Sequence, residues 1–270
     1  MIYFLISTIV FILLLILAMW LFVHFHYKKN VASLFSNLHF SEKIYEEKIL
    51  SGLPAPVQRY FKHVLKPGQK YISCARLKHS GMFKSSDKDK FEKIKGEQYF
   101  TSVSPGFIWK GKTSLFTAID MYLHCKGQLS VYLFSFLRIL HGKGITYDQG
   151  ELLRWLGEST WCPTNLLPAE NLSWTAIDDR SANLLYKINE LELSYKVFFN
   201  KENEIVSMQT KRYKGKEELQ DWIGHFSVYK EMYGMIIPTL LEGAWIVQDE
   251  EQPYAIFEVD MIEFDVAEKF

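Results

Sequence analysis

The chain has 270 residues, 48% of them hydrophobic and 16% aromatic, and its 31 basic residues are matched by 31 acidic ones for a formal net charge of zero. No broad positive field exists to draw in a polyanion, which excludes nucleic acid as the expected partner. Three cysteines, Cys74, Cys125 and Cys162, are an odd number without a CxxC or a nearby His pair, which excludes a complete disulfide framework and a zinc site of finger type and predicts free thiols.

Residues 2–23 read IYFLISTIVFILLLILAMWLFV, with no charged side chain. At about 1.5 Å per residue such a helix crosses a hydrocarbon core of about 30 Å. The rival apolar run, 129–140, is too short and carries Arg138, so one span is expected. A cleaved signal peptide needs a basic start, a shorter apolar stretch and a small-residue cleavage site. Here the start lacks Lys and Arg, and the run is followed by His24, Phe25, His26, Tyr27, Lys28 and Lys29. Residues 1–29 are therefore predicted to be an uncleaved single-pass anchor in the cell membrane, with Trp20 and Tyr27 in the interfacial belt. Lys28, Lys29, Lys43 and Lys48 follow the span, a small bias that favours a cytoplasmic domain.

Residues 30–70 are predicted to be a helical linker. Glu42, Lys43, Glu46, Glu47 and Lys48 form charged pairs at helical spacing, with Ile44, Ile49 and Leu50 between them. Pro54 and Pro56 make a turn. A second stretch, 57–65, puts Val57, Tyr60, Phe61, Val64 and Leu65 on one face before Pro67 and Gly68 stop it.

From residue 71 the pattern turns to strands, and 71–270 is predicted to be one strand-rich domain. Expected strands are 71–79, 97–103, 107–110, 116–124, 182–188, 193–199, 205–213, 241–247 and 254–264. Asn200 and Asn203 mark a hairpin turn, and 84–95, with Ser85, Ser86, Asp87, Lys88 and Asp89, reads as a solvated hairpin tip. In the last strand Phe257, Val259 and Met261 share a face, with Glu258 and Asp260 opposite. Successive strands without intervening helices indicate an antiparallel sheet. The fold class is α+β: an N-terminal transmembrane helix, then a mainly antiparallel, curved sheet with a few helices.

One helix interrupts the strands at 149–158. Leu152, Leu153 and Leu156 give it an apolar face, and Arg154 and Glu158 are spaced to pair. The loop 160–168, rich in Trp, Pro and Leu, is expected to pack on the domain. The run from Arg154 through Leu156, Glu158, Trp161, Pro163, Thr164, Leu166 and Leu167 to Pro168 resembles the RxLxExxWxPTxLLP signature of a bacterial family of uncharacterised proteins. Similar segments are Leu53-Pro54 with Val57, Arg59, Tyr60 and Phe61, Gln98 to Phe100 with Pro105 to Trp109, Trp174 with Asp178 and Ala182, Gly234 to Pro238, and Glu242 to Trp245. The resemblance covers most of the chain beyond the anchor and implies no established activity. A weaker, fold-level similarity to lipoprotein carriers implies a curved antiparallel sheet.

There is no GxSxG elbow, P-loop, HExxH or dinucleotide fingerprint. His63, His79, His124, His141 and His225 are scattered, so neither a metal nor a cofactor is expected. The candidate polar cluster is Asp120, Arg154, Glu158, Asp178 and Glu242. In one reading Glu158 and Glu242 are acid–base carboxylates tuned by Arg154; in the other, Arg154 and Glu158 pair to fix the helix on the sheet. Candidate pocket aromatics are Trp109, Trp161, Trp174 and Trp245, although aromatics on strands more often fill a core. Two functions follow. The favoured one is a membrane-tethered module that binds a lipid or other apolar ligand, which requires a concave apolar pocket. The alternative is a membrane-anchored enzyme, such as a hydrolase, which requires the charged cluster to converge beside an open cleft.

Overall fold

A computed structural model describes residues 1–85, 90–215 and 218–270. Helix α1, Ile2–Phe35, is 34 residues long and apolar enough to cross a membrane. It runs unbroken past the end of the apolar stretch. Tyr27, Val31 and Leu34, spaced four and three apart, fall on one side and are buried against Tyr99, Ile108, Ile119, Met121 and Tyr132.

The helix expected around Glu42 to Lys48 is absent. Pairs of surface charges contribute only about 0.2–0.5 kcal/mol each, too little to nucleate a helix against a competing burial. Here Tyr45 is fully buried; its N–H donates to Gln69 O (2.8 Å) and its carbonyl accepts from Gly68 N–H (2.9 Å). Only a 3-10 turn forms, at Glu47–Leu50. Helix α2, Ala55–Val64, starts after Pro54 and buries Val57, Tyr60, Phe61 and Val64. With Tyr45 and Leu50 these side chains are part of the main core.

Two antiparallel meanders make up one sheet. The first contains β1 (Cys74–Phe83), β2 (Glu92–Thr101), β3 (Gly106–Lys112), β4 (Phe116–Leu123), β5 (Lys126–Leu133) and β6 (Leu137–Lys143). The second contains β7 (Leu172–Asp178), β8 (Ser181–Ile188), β9 (Leu191–Phe199), β10 (Ile205–Lys214), β11 (Glu218–Met232), β12 (Met235–Val247) and β13 (Glu250–Phe264). Every strand pairs with its neighbours in sequence except at the seam, where β1 meets β13, so β6 and β7 are the two edges. Helix α3, Ile145–Glu158, leaves the β6 edge and crosses the inner face, touching β3–β6 and then β9 and β10. Two 3-10 turns, Ser159–Trp161 and Pro163–Leu166, deliver the chain to β7. A single helix reaches strands of both meanders because the sheet is curved around it.

Strand β9 shows the one-sided pattern, with Leu193, Tyr195, Val197 and Phe199 inward and Glu192, Ser194 and Lys196 outward. Strand β3 is covered on both faces: Phe107 and Trp109 join the main core, while Ile108 packs under α1. The turn at Asn200 forms as its sequence indicates; Glu204 N–H donates to Asn200 Oδ1 (2.8 Å). Of the expected tip at 84–95, residues 86–89 lie outside the described residues, and Phe83 pairs with Glu92 at its base.

The grouping of Phe257, Val259 and Met261 on one face is corrected. Lys78 pairs with Met261 but His79 with Val259, so Asp260 is bulged out of the ladder and the alternation shifts by one residue. Val259 and Ile262 are therefore buried, and Met261 is exposed. Cys74, Cys125 and Cys162 are all free thiols, the first and last buried and Cys125 exposed.

Candidate functional site

Helix α3 presents Glu151, Arg154 and Glu158 at spacings of three and four, so they stack on one face. Opposite them, Gln98 on β2 and Asp120 on β4 flank Trp109 of β3, each directly paired with it across the ladder. Arg154 joins the two sets. Its Nη1 donates to Asp120 Oδ2 (2.6 Å), its Nε to Glu158 Oε1 (2.8 Å) and its Nη2 to Gln98 Oε1 (3.3 Å). Gln98 Nε2 closes the ring by donating to Glu158 Oε2 (2.6 Å). The guanidinium also lies 4.7 Å over the Trp109 ring and 5.0 Å over Phe107. Burial by itself would lower the Arg154 pKa, but Glu158, Asp120 and Glu151 outweigh it and hold the guanidinium more firmly protonated.

Glu151 lies against the same group. Burial first, and the Asp120 carboxylate second, push its pKa well above the carboxylate range, opposed by Arg212 and Arg154. Arg212 Nη2 stands 3.9 Å from Glu151 Oε2. Asp120 Oδ1 and Glu151 Oε2 are both buried without a hydrogen-bond partner among the described residues. A proton on Glu151 resolves this, since it supplies a donor where two bare carboxylates would repel. The cluster then holds two carboxylates and two guanidiniums, and its charge balances.

Next to Trp109 is a buried histidine. Trp109 Nε1–H donates to His79 Nε2 (2.7 Å), and the rings stack with centroids 6.0 Å apart. An acceptor at Nε2 requires neutral imidazole protonated at Nδ1. Burial favours that form, with the nearby Arg154 charge acting the same way, and His79 is lowered to about 4 although its bond to Ser80 O works against the shift. Gly96 and Gly111, paired across β2 and β3, make room for this stack. A Cβ on Gly96 would overlap the His79 ring, and one on Gly111 the Trp109 ring.

The loop after α3 is a plug. Trp161, Thr164, Leu166 and Leu167 are all buried. Thr164 Oγ1 accepts from Ile72 N–H (3.0 Å), and Leu166 O accepts from Trp174 Nε1–H (2.9 Å).

Of the residues singled out in the sequence, Asp120, Arg154 and Glu158 are brought together. Asp178 sits at the end of edge strand β7, exposed, where it accepts from Arg180 N–H (2.8 Å), a bond that lowers its pKa. Glu242 is half-buried on β12 between His225 and Ile256 of the neighbouring strands. Trp109, Trp161 and Trp174 are core side chains. Trp245 is half-buried and stacks on Tyr254 with centroids 6.0 Å apart. Glu151, Gln98, Arg212 and His79 were not among the expected site residues. The helical spacing of Glu151 to Arg154 carried the signal for one of them; the others are joined only by the folded sheet.

Two clefts stand out on the described surface. One, about 630 Å³, lies between α3 and the second meander and is lined by polar and apolar side chains including Gln149, Leu153, Lys211 and Trp222. The other, about 670 Å³, runs between α1 and the C-terminal tail. Neither is lined by Arg154, Asp120, Glu158 or the four candidate tryptophans. Among the described residues no group of His, Cys, Asp and Glu could hold a metal ion.

The features together define a class: an apolar N-terminal helix docked on the outside of a single open antiparallel sheet, which curves around one crossing helix held by a buried arginine network. The chain belongs to a family of unknown function, DUF6920, whose model matches residues 51–264. No curated protein matches it. Among solved structures it is similar to a putative outer membrane lipoprotein-sorting protein domain from Vibrio parahaemolyticus, with a TM-score of 0.44 and 8% identity over 79% of this chain and 92% of that one. It is similar to the same degree to a LolA superfamily protein from Nitrosomonas europaea, with a TM-score of 0.44 and 7% identity over 79% of this chain and 94% of that one.

Proposed function

We propose that this protein is a membrane-tethered binding module for a lipid or similar amphiphile, with residues 1–29 as a single-pass anchor, 30–70 as the connection and 71–270 as the domain. The observation that carries the reading is the cleft beside α1. Val31, Ala32, Phe35 and Phe270 supply apolar walls, and Lys28, Lys269 and Glu268 supply charged groups to its lining, with Lys269 Nζ 3.7 Å from Glu97 Oε1. Its volume falls in the ordinary range for small-molecule sites, about 300–1,000 Å³. Lys28 lies five residues beyond Val23, about 8 Å along the helix axis, so the cleft opens where lipid headgroups would be. Lys28 and Lys29 favour the cytoplasmic side for the domain.

The test uses the full chain, extracted with its surrounding lipid and examined by native mass spectrometry. Retained lipid is expected for the wild type and loss of it for Ala32→Trp, which fills the cleft from an exposed position. A wild type that carries no lipid, or a variant that retains it undiminished, sinks the reading.

An enzymatic reading is favoured by one observation, the buried and unpartnered carboxyl oxygens of Glu151 and Asp120 in the Arg154 cluster, where burial and Asp120 raise the Glu151 pKa. Glu151→Gln keeps a neutral donor for Asp120. A structural role predicts that this variant folds with wild-type stability and unchanged function in the host; an acid–base role predicts loss of function in a stable protein.

A further inference from the structure

Contacts between α1 and the sheet define which end of the domain faces the membrane. Nearest the span, Tyr27 Oη donates to Glu97 Oε1 (2.8 Å), and Lys110 lies 4.3 Å over the Tyr27 ring. Farther along, Asn30 reaches Met121, Ser33 Oγ is hydrogen-bonded to His124 Nε2 (2.9 Å), and Leu34 packs over Gly106. Moving away from the span thus means moving from Lys110 back to Gly106 on β3, and from Ile119 on to His124 on β4. The turns after β3 and β5 therefore lie at the span end, and the His124–Cys125 turn lies at the far end.

Those two near turns are joined, since Phe134 N–H donates to Leu115 O (2.8 Å) and Thr117 Oγ1 is hydrogen-bonded to Ser135 Oγ (2.8 Å). Their outer surface is apolar: Leu115 is 46% exposed, Phe134 57% and Leu137 44%. Phe134 stacks with Phe136, centroids 6.4 Å apart. The turn is of the primed kind, with φ of +51° at Phe134 and +67° at Ser135. Such positions ordinarily hold Asn or Gly, so a bulky aromatic there is held at the tip against a backbone preference. Exposed Lys112 and Arg138 flank the patch.

The depth matches. Val23, the last residue of the apolar run, lies about 6 Å below Tyr27 along the helix. Lys112 lies about 7 Å beyond Lys110 along the strand, with the turn beyond it. We infer that the joined tips, through Leu115, Phe134, Phe136 and Leu137, rest in the headgroup and upper acyl layer of the bilayer that α1 enters. Aromatic and aliphatic side chains flanked by cations are the composition of an interfacial contact. The inference rests on α1 spanning that bilayer. It gives the domain a second attachment and fixes its tilt.

The experiment uses the full chain in vesicles of phosphatidylcholine and phosphatidylglycerol. A nitrobenzoxadiazole fluorophore is placed on Cys125 of the otherwise unchanged protein, the far-end reference, or on Phe134→Cys or Leu14→Cys with Cys125→Ser. Cys74 and Cys162 are buried and stay unlabelled. Lipid-borne nitroxide near the headgroup is expected to quench the label at residue 134 several-fold more than that at Cys125. Nitroxide near the acyl terminus is expected to quench the label at residue 14. A label at 14 that escapes quenching overturns the anchor itself. Quenching at 14 with residue 134 no more quenched than Cys125 overturns the tip contact alone. Edge strand β6 continues the patch through Ile139 and Leu140, so self-quenching at 134 that rises with protein-to-lipid ratio assigns the patch to a second copy and overturns the inference.

Discussion

Arg154 has three partners and almost no water, with 13% of its side chain exposed, beside 10% for Asp120 and 11% for Glu158. Arg154→Met leaves both carboxylates buried without their cation, and the loss of folding stability is expected at about 3–5 kcal/mol. Arg154→Lys should recover less than half of it, because an ammonium cannot serve three planar acceptors at once. Urea denaturation of both variants checks this, and a Lys variant as stable as the wild type would refute the forked geometry. His79 adds a pH dependence whose sign follows from its burial. Free histidine titrates near 6.5, and in the fold this one is lowered to about 4, so between those values the unfolded chain binds a proton that the native chain refuses. Stability then falls as pH drops from 6.5 towards 4, by about 3 kcal/mol. His79→Gln, which keeps an acceptor for Trp109, should flatten that part of the stability–pH curve; an unchanged slope would exclude His79 as its source. Among these groups only the Arg154–Glu158 pair could be read from the sequence, because helical spacing is local. Asp120 meets them through β4, and Asp178 and Glu242, near the signature or like it in chemistry, sit on strands that carry them elsewhere.

At the scale of elements, alternation exposed the strands whose outer face meets water. It was weakest where both faces are covered or where a polar edge breaks the period. Strands β5, β6, β7 and β11 are not legible in the sequence: β11 begins Glu218-Leu219-Gln220-Asp221 with little burial, and β6 is an exposed edge on which Leu137, Ile139 and Leu140 do not alternate with buried positions. The helix expected at Glu42 to Lys48 failed in the opposite sense, since a good local pattern was overridden by burial of Tyr45. Spacing of small residues carries information that neither rule uses. Gly96 and Gly111 face each other in the register and together admit the His79–Trp109 stack. Gly111→Ala is expected to destabilise by about 1–3 kcal/mol, the usual consequence of overpacking a filled site. The Trp109 fluorescence should shift along with the thermal midpoint. An alanine variant of wild-type stability would mean that the stack relaxes freely and that these glycines serve no packing role.

The whole molecule depends on contacts that no local pattern announces. β1 pairs with β13 across nearly the entire domain, and α3 must cross from one edge of the sheet to the other for the first meander to connect with the second. The apolar run at the N-terminus was plain in the sequence, but its continuation as a docked helix was not. Tyr27, Val31 and Leu34 are too few and too widely spaced to stand out after a long apolar segment. Their docking makes the C-terminal end of α1 a strut held against the sheet. Val31→Asp places a charge against Ile108, Ile119 and Met121, and burying an unpaired carboxylate there is unfavourable enough to undock the helix end. The main core, on the opposite face of the sheet, does not include Val31. Tryptic cleavage after Lys28 and Lys29 should therefore accelerate at least several-fold in the variant, while the unfolding midpoint of the domain moves little. Equal cleavage rates in the two proteins would show that the strut is already loose in the wild type. A variant that loses the whole domain's stability would instead make α1 an integral part of the core, and helix and sheet would then be a single cooperative unit.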